Sequence, residues 1–437
     1  MIKKLFLILL LFSLVACNSR IDDKVKIQLE PEPEPEITID PDLLDNDKIV
    51  ITYASGRDDT ETIIKLIDEY NTNSDEYFVK YQELPYDYSA RYNYIYNTMG
   101  AGDISFDAVE VNYSWIPGLA HLNYIEPLDS LVERGGWDKN AYLESALNAS
   151  VYNGGLWALP FNISAGFLYI RSDVAGEVPK TWDELIEVSK AYKGTSGLKY
   201  SYIMPGVRSQ MIFIEALEFI YSYGGEFFNQ DGELNVNKEG IVKGLNKLAE
   251  IYFSDYVPDD LAAINNQEAR SRFADGDSVF LRSDVNAWVY SNSAGSNVVG
   301  KFSIAPLPSG DSGVSTVLDG NANVINSASK NKDAAFEFIK YLSEGKAQRE
   351  LVLSAGGMPV LLEAFTDADV ISVNPYFETD KFIDTINNAV SQVKTIQYKD
   401  FTDIFIDELN LFLYQQKTAE QVADSIESRL KSALIKN

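Results

Sequence analysis

Apolar residues recur along this chain with two alternating periods. The run KIVITYASG, residues 48–56, is rich in β-branched side chains and ends in small ones, which predicts a strand leading into a loop. The segment TETIIKLIDEYN then places Ile63, Ile64, Leu66, Ile67 and Tyr70 on one face of a helix. The strand pattern returns in FVKYQEL, FDAVEVN, LWALPF and GFLYIR with helical segments between, so the class is α/β with strands that are largely parallel. In open sheets of this class ligands bind at the carboxyl ends of strands, so the residues after each strand are the first candidates for a site. Further on, Thr181 is placed to N-cap a helix with Glu184 closing a capping box and Trp182 and Leu185 facing inward. In NQDGELNVN, Asp231-Gly232 predicts a turn between short strands, and Lys238 opens an amphipathic helix. Ala334, Ala335, Phe338, Ile339 and Leu342 have the spacing of a helix face packed in a core, after the strand ANVINSA.

The first residues read differently. Lys3 and Lys4 precede an apolar run from Leu5 to Phe12 that is too short to span a bilayer and has the layout of a secretory signal. Leu14-Val15-Ala16-Cys17 resembles the lipobox of bacterial lipoproteins, so residues 1–16 are expected to be removed and Cys17 to carry lipid. Cys17 is the one cysteine of the chain, which excludes a disulfide and a cysteine metal site. Residues 17–47 are expected to form a tether. Glu and Pro alternate from Glu30 to Glu36, and fixed proline φ with mutual repulsion favours an extended spacer.

A chain of 437 residues, 46 % apolar and 12 % aromatic, is long enough for two packed domains. Its formal charge of -28, from 65 acidic and 37 basic residues, repels phosphate backbones and argues against nucleic acid as a partner. The stretch PLPSGDSG ends like the nucleophile loop of a chymotrypsin-like protease, which would make Ser312 the nucleophile. A serine nucleophile needs an adjacent base, and the single histidine, His121, lies among apolar residues at the end of a predicted helix. Ser312 therefore reads as a turn residue. With one histidine and one cysteine, only oxygen ligands remain for a metal, and neither a metal nor a cofactor is expected.

AGDISFDAVEVNYSWIPGLAHLNYIEPLD, GGLWALPFNISAGFLYIRSDVAGEVPKTWDELIEVSK, GGEFFNQDGELNVNKEGIVKGLNKL, FADGDSVFLRSDVNAW, GKFSIAPLPSG and SASKNKDAAFEFIKYLSEGKAQ, in that order, resemble the successive signatures of the extracellular solute-binding proteins of ABC sugar importers. The likeness runs from about Ile49 to Gln348 and is nearest to the trehalose- and maltose-binding branch. It implies a two-lobe periplasmic-binding-protein fold of type II, with hinge crossovers and a ligand cleft between the lobes. Lobe 1 is expected at 48–163 plus 308–370 and lobe 2 at 164–307 plus 371–437, with APLPSGDSG as a passage between them. The implied partners are a carbohydrate ligand, membrane permease subunits and, through the lipid, the membrane; the implied state is a monomer without turnover. Carried over by position, the cleft falls on Asp58, Asp59, Asn112, Trp115, Ser164, Arg208, Gln210, Ser283, Asp284, Asn286, Asp319, Gly320, Asn321 and Gln392. Trp115 would be an aromatic wall, and Trp288 either stacking surface or core.

This chain departs from the disaccharide pattern at several of these places. That pattern has aspartate at Asn112 and Ser164, Tyr-Glu at Ser209-Gln210, Asn-Trp-Pro-Tyr over Ser283 to Asn286, Gly-Gly-Trp over Asp319 to Asn321, and Arg-Pro at Gln392-Val393. Aromatic rings and an arginine are lost while polarity is kept, which points to another sugar or polar solute. A surface sugar receptor or adhesin without a permease would share the fold. A glycoside hydrolase would need two carboxylates about 5 to 10 Å apart, and no paired motif stands out.

Overall fold

The computed structural model describes residues 48–434, apart from residues 196, 208, 209, 230, 231, 314, 315 and 379. The signal, Cys17, the tether, Arg208 and Asp231 thus lie outside the described residues, as does the side chain of Gln210.

Twelve strands are described: β1 Ile49–Ser55, β2 Tyr77–Glu83, β3 Ala108–Asn112, β4 Val151–Tyr152, β5 Gly155–Leu156, β6 Leu159–Ser164, β7 Phe167–Arg171, β8 Tyr202–Ile203, β9 Phe280–Ser283, β10 Phe302–Ala305, β11 Val317–Ile325 and β12 Val390–Ser391. The first sheet has the order β12-β11-β3-β1-β2, with β6 also paired to β11; the second has the order β10-β7-β9-β8. The expectation of largely parallel strands is corrected here. β1 runs parallel to β2 and β3, but β11 is antiparallel to β3 and β6, and β7 is antiparallel to both β9 and β10. The reason lies in the connections. A strand that enters a sheet from the other sheet need not run with the strands fed by local β-helix-β crossovers.

The chain passes between the sheets twice in a short space. Ala165 and Gly166 separate β6 from β7. Residues 306–316 lead from β10 to β11, the passage expected of APLPSGDSG. Ser312 there is exposed and donates its backbone N–H to the Ser222 carbonyl at 2.8 Å, while His121 closes the short helix Ile116–His121 at the surface. Later the chain returns through β12 to the first sheet. The helix Tyr398–Leu413 then sets Phe401 and Phe405 against Phe213 of the helix Gln210–Ser222.

The predicted helices form largely as their spacing requires. Helix α1 (Thr62–Asn73) buries Ile63, Leu66 and Ile67 with Tyr70 partly covered, but Ile64 is 43 % exposed, because it sits 100° around the helix from Ile63. Thr181 Oγ1 accepts the Glu184 N–H at 3.1 Å, and Glu184 reaches back to the Lys180 N–H at 2.6 Å, one residue before the usual partner. Trp182 and Leu185 are buried, as are all five predicted positions of the helix Lys332–Ser343. Gly232 adopts φ +78° and Phe228 bridges Leu234 across that turn. The first sheet packs Tyr53 edge-on against Phe338, with ring centroids 5.1 Å apart. The second packs Phe167 flat against Phe382 at 5.0 Å.

Candidate functional site

Three residues far apart in sequence meet at the end of the first sheet. Asn112 closes β3, and its side-chain oxygen caps the following turn through the Ser114 N–H at 3.0 Å. Its Nδ2 donates to Asp319 Oδ1 at 2.7 Å, and Gln392 Nε2 donates to the same oxygen at 2.7 Å. Gln392 is fixed in turn, because its Oε1 accepts the Tyr398 hydroxyl at 2.7 Å and its backbone oxygen the Tyr221 hydroxyl at 2.6 Å. Asp319 faces Ser164 across the β11–β6 pair. Burial raises the Asp319 carboxyl above the ordinary carboxylate range, the Asn112 hydrogen bond opposes this, and the charge of Asp284 adds to it. Gly320 next to it has φ +127°, and a Cβ there would stand 2.5 Å from the Asn162 carbonyl oxygen, so only glycine lets β11 approach β6 this closely.

The second sheet presents a matching group. Arg270 Nη2 donates to both Asp284 carboxylate oxygens at 2.7 Å, and Arg270 Nε reaches Ser283 Oγ at 3.4 Å. Asp284 also accepts the Asn286 N–H at 3.0 Å and, through its backbone oxygen, the Tyr169 hydroxyl at 2.9 Å. Two residues before Asp284, buried Arg282 binds Glu218 at 2.7 and 2.9 Å and Glu215 at 2.9 Å. These two carboxylates lie on successive turns of the helix Gln210–Ser222, on one face. Burial pushes the Glu215 carboxyl up to about 8 against the pull of Arg282.

This triad touches both passages between the sheets. A Cβ on Gly166 would stand 2.2 Å from Glu218 Oε1 and 2.7 Å from Arg282 Nη2. The Val317 N–H hydrogen-bonds to Glu218. Thr316 Oγ1 donates to the Gly166 carbonyl at 3.0 Å, joining the two passages directly.

The expected site residues thus fall into three sets. Asn112, Ser164, Asp319, Gly320, Asn321 and Gln392 cluster on the first sheet, and Ser283, Asp284 and Asn286 on the second. Asp58 and Asp59 are engaged elsewhere. Asp58 caps α1, accepting the Thr60 N–H at 2.9 Å and the Ile63 N–H at 2.7 Å, and exposed Asp59 pairs with Arg57 at 2.7 Å. Trp115 adjoins the first cluster but offers no ring face to solvent. It is 1 % exposed, wedged edge-on between Tyr88 and Tyr92, and its Nε1 donates to the Tyr88 hydroxyl at 2.8 Å. Trp288 is half-buried, packs against Phe302 and Tyr376, and donates Nε1 to the Val373 carbonyl at 2.9 Å. Tyr88, Tyr221, Tyr398, Arg270, Arg282 and Glu215 were not expected from the sequence. For Arg282 a signal existed, since it interrupts the apolar run SVFLRS.

Residues 65–379 match the family described as bacterial extracellular solute-binding protein. The chain belongs to that family. A probable ABC transporter-binding protein of Deinococcus radiodurans is 25 % identical over 366 residues, covering 80 % of this chain and 86 % of that protein. The maltotriose-binding protein of Pyrococcus abyssi is 25 % identical over 272 residues, covering 59 % of this chain and 55 % of that protein. The structure of maltose-bound MalE3 of T. maritima superposes with a TM-score of 0.78 at 24 % identity, over 88 % of this chain and 99 % of that one. The fold is therefore the type II periplasmic-binding-protein fold, and the two sheets with their crossovers are its lobes and hinge. No helix among the described residues is long and apolar enough to cross a membrane.

Proposed function

We propose that this chain is the extracytoplasmic binding protein of an ABC importer that captures a carbohydrate between its lobes and releases it unchanged to a membrane permease. The observation that carries this reading is the convergence of Asn112, Asp319 and Gln392 at the end of one sheet, with Asp284 of the other sheet near enough for its charge to act on Asp319. Carboxylate and amide groups on both sides of a hinge suit a ligand rich in hydroxyls, each of which both donates and accepts. The maltotriose and maltose in the names of two similar proteins support the same ligand class. Lobe 1 is 48–163 plus 308–370 and lobe 2 is 164–307 plus 371–437, with β12 reaching back to the first sheet. Closure about the Gly166 and Thr316 passages is a hinge motion of the kind for which periplasmic binding proteins serve as the general example.

Equilibrium dialysis of the chain against labelled mono- and oligosaccharides, followed by chromatography of the ligand, tests the reading. Saturable uptake with the sugar recovered intact is expected; cleavage at more than about 1 per second, an enzyme-like rate, refutes it. The lipid on Cys17 belongs to the same proposal. Cys17→Ser is expected to release the protein from the membrane fraction, and unchanged fractionation removes the anchor from the account.

A further inference from the structure

The carboxyl ends of β1 and β3 hold two opposite charges that do not pair. Glu110 lies on β3 between buried Val109 and Val111 and is itself half-buried. The pairing of Ala54 with Val109 brings Ser55 and Gly56 alongside it, and the register with β11 sets Asn323 opposite. Arg91, on helix α2 (Tyr88–Gly100), is also half-buried. Its guanidinium rests on the Gly56 backbone, where a Cβ would stand 2.1 Å from Nη1. Neither Glu110 nor Arg91 forms an ion pair among the described residues. Asn321 hydrogen-bonds to Glu110, whereas Arg91 and Asp58 act on it only through space. Asn323 is wholly buried, accepts the Tyr53 hydroxyl at 2.8 Å, and leaves its Nδ2 with no partner.

A half-satisfied carboxylate and an unpaired guanidinium therefore act on each other toward the carboxyl ends of β1 and β3, the side of the sheet where such folds bind ligands, with a wholly buried orphan amide donor beside them. Leaving buried polar groups unmade costs free energy that a ligand recovers. With Glu110 ionised, its charge and that of Arg91 sum to zero, so a neutral ligand leaves the balance undisturbed and a charged one does not. The geometry points to a subsite in which Glu110 accepts and Arg91 donates to adjacent hydroxyls of a neutral polyhydroxylated ligand, an assignment that rests on the carbohydrate reading above.

This subsite carries its own signature. Burial holds the Glu110 carboxyl up at about 7, with Arg91 opposing, Asp58 adding and the Asn321 hydrogen bond opposing. The other titratable groups facing it, Tyr53 of β1 and Tyr81 of β2, are themselves held neutral by burial. The helix Lys332–Ser343 packs here through Phe338, on Tyr53. Ligand hydroxyls favour the ionised carboxylate, so binding expels a proton below about pH 7 and affinity falls as the pH drops.

Calorimetric titration of the full chain, Glu110→Gln and Arg91→Gln with maltose, trehalose, maltotriose, ribitol and D-mannitol at pH 6 and pH 8 decides the matter. For whichever probe binds, Glu110→Gln is expected to weaken it about 10- to 100-fold at pH 8, as does losing hydrogen bonds to a charged group. Wild-type affinity should fall about tenfold from pH 8 to pH 6, and that of Glu110→Gln should stay flat. Glu110→Gln removes a buried charge, so its melting temperature should be unchanged or higher, which separates lost affinity from misfolding. If a probe binds both variants as it binds the wild type, the subsite is overturned while the carbohydrate reading stands. If no probe binds the wild type, both fall.

Discussion

Replacing Trp115 by alanine separates a ligand wall from a structural one. The indole is 1 % exposed, with ring centroids 5.0 Å from Tyr88 and 5.2 Å from Tyr92, and its Nε1 donates to Tyr88. Truncating a buried Trp to Ala costs about 3–5 kcal/mol in lost transfer energy and cavity. The severed hydrogen bond to Tyr88 adds about 1 kcal/mol. At about 2 °C per kcal/mol for a domain of this size, the melting temperature of the unliganded protein should fall by about 8–12 °C. Trp115→Phe keeps an aromatic edge and should lose only about a third of that. Thermal unfolding followed by circular dichroism, without sugar, reads both numbers. A Trp115→Ala protein that melts within about 2 °C of wild type would refute the argument and return the ring to the cleft surface as a ligand contact.

Three further outcomes follow from the same structure. Arg282→Met strands Glu215 and Glu218 without their cation and should cost about 3–5 kcal/mol in urea unfolding, part of it regained by adding Glu215→Gln; an undiminished midpoint would show that the triad is not buried together. Glu215 at about 8 and Glu110 at about 7 are both raised above unfolded values near 4.3, so the folded chain holds more protons across that window. Their stabilising share is complete below about pH 4 and is lost as the pH climbs through the folded values, so unfolding free energy should decline from pH 5 to pH 8; a rise over that range contradicts the burial of these carboxyls. Gly320→Ala forces a side chain onto φ +127° and into the Asn162 carbonyl and should destabilise by more than about 1 kcal/mol; chemical denaturation at wild-type stability would count against the close β11–β6 approach.

Local periodicity carries the helices because burial there follows angle. Ile63, Leu66 and Ile67 go inside and Ile64 fails only because it sits at the edge of the stripe. Strand sense is not local. It depends on where β6 and β11 enter their sheet, which no window of sequence around LWALPF or VLDGNANVI contains. The meeting of Asn112, Asp319 and Gln392 was reachable only through the ordered likeness to a family, since the three are separated by 207 and 73 residues. Trp115 was misjudged as a surface for a comparable reason. The tyrosines that enclose it, Tyr88 and Tyr92, arrive from a separate helix. Asp58 and Asp59 follow a strand, yet the needs of a helix N-terminus and a neighbouring arginine occupy them. Glu110 and Arg282 could have been noticed as single charges inside apolar strands, where an ionisable group survives only with a partner or a task.

Calorimetric titration of the wild-type chain and of Asp319→Asn with maltotriose and the smaller sugars shows whether Asp319 and its neighbours hold a carbohydrate, as proposed. One sugar is expected to bind per wild-type chain, with binding at least about tenfold weaker in Asp319→Asn, the loss of hydrogen bonds to a charged group. Equal affinity in the two proteins, or no binding of any sugar to the wild type, would contradict the proposal.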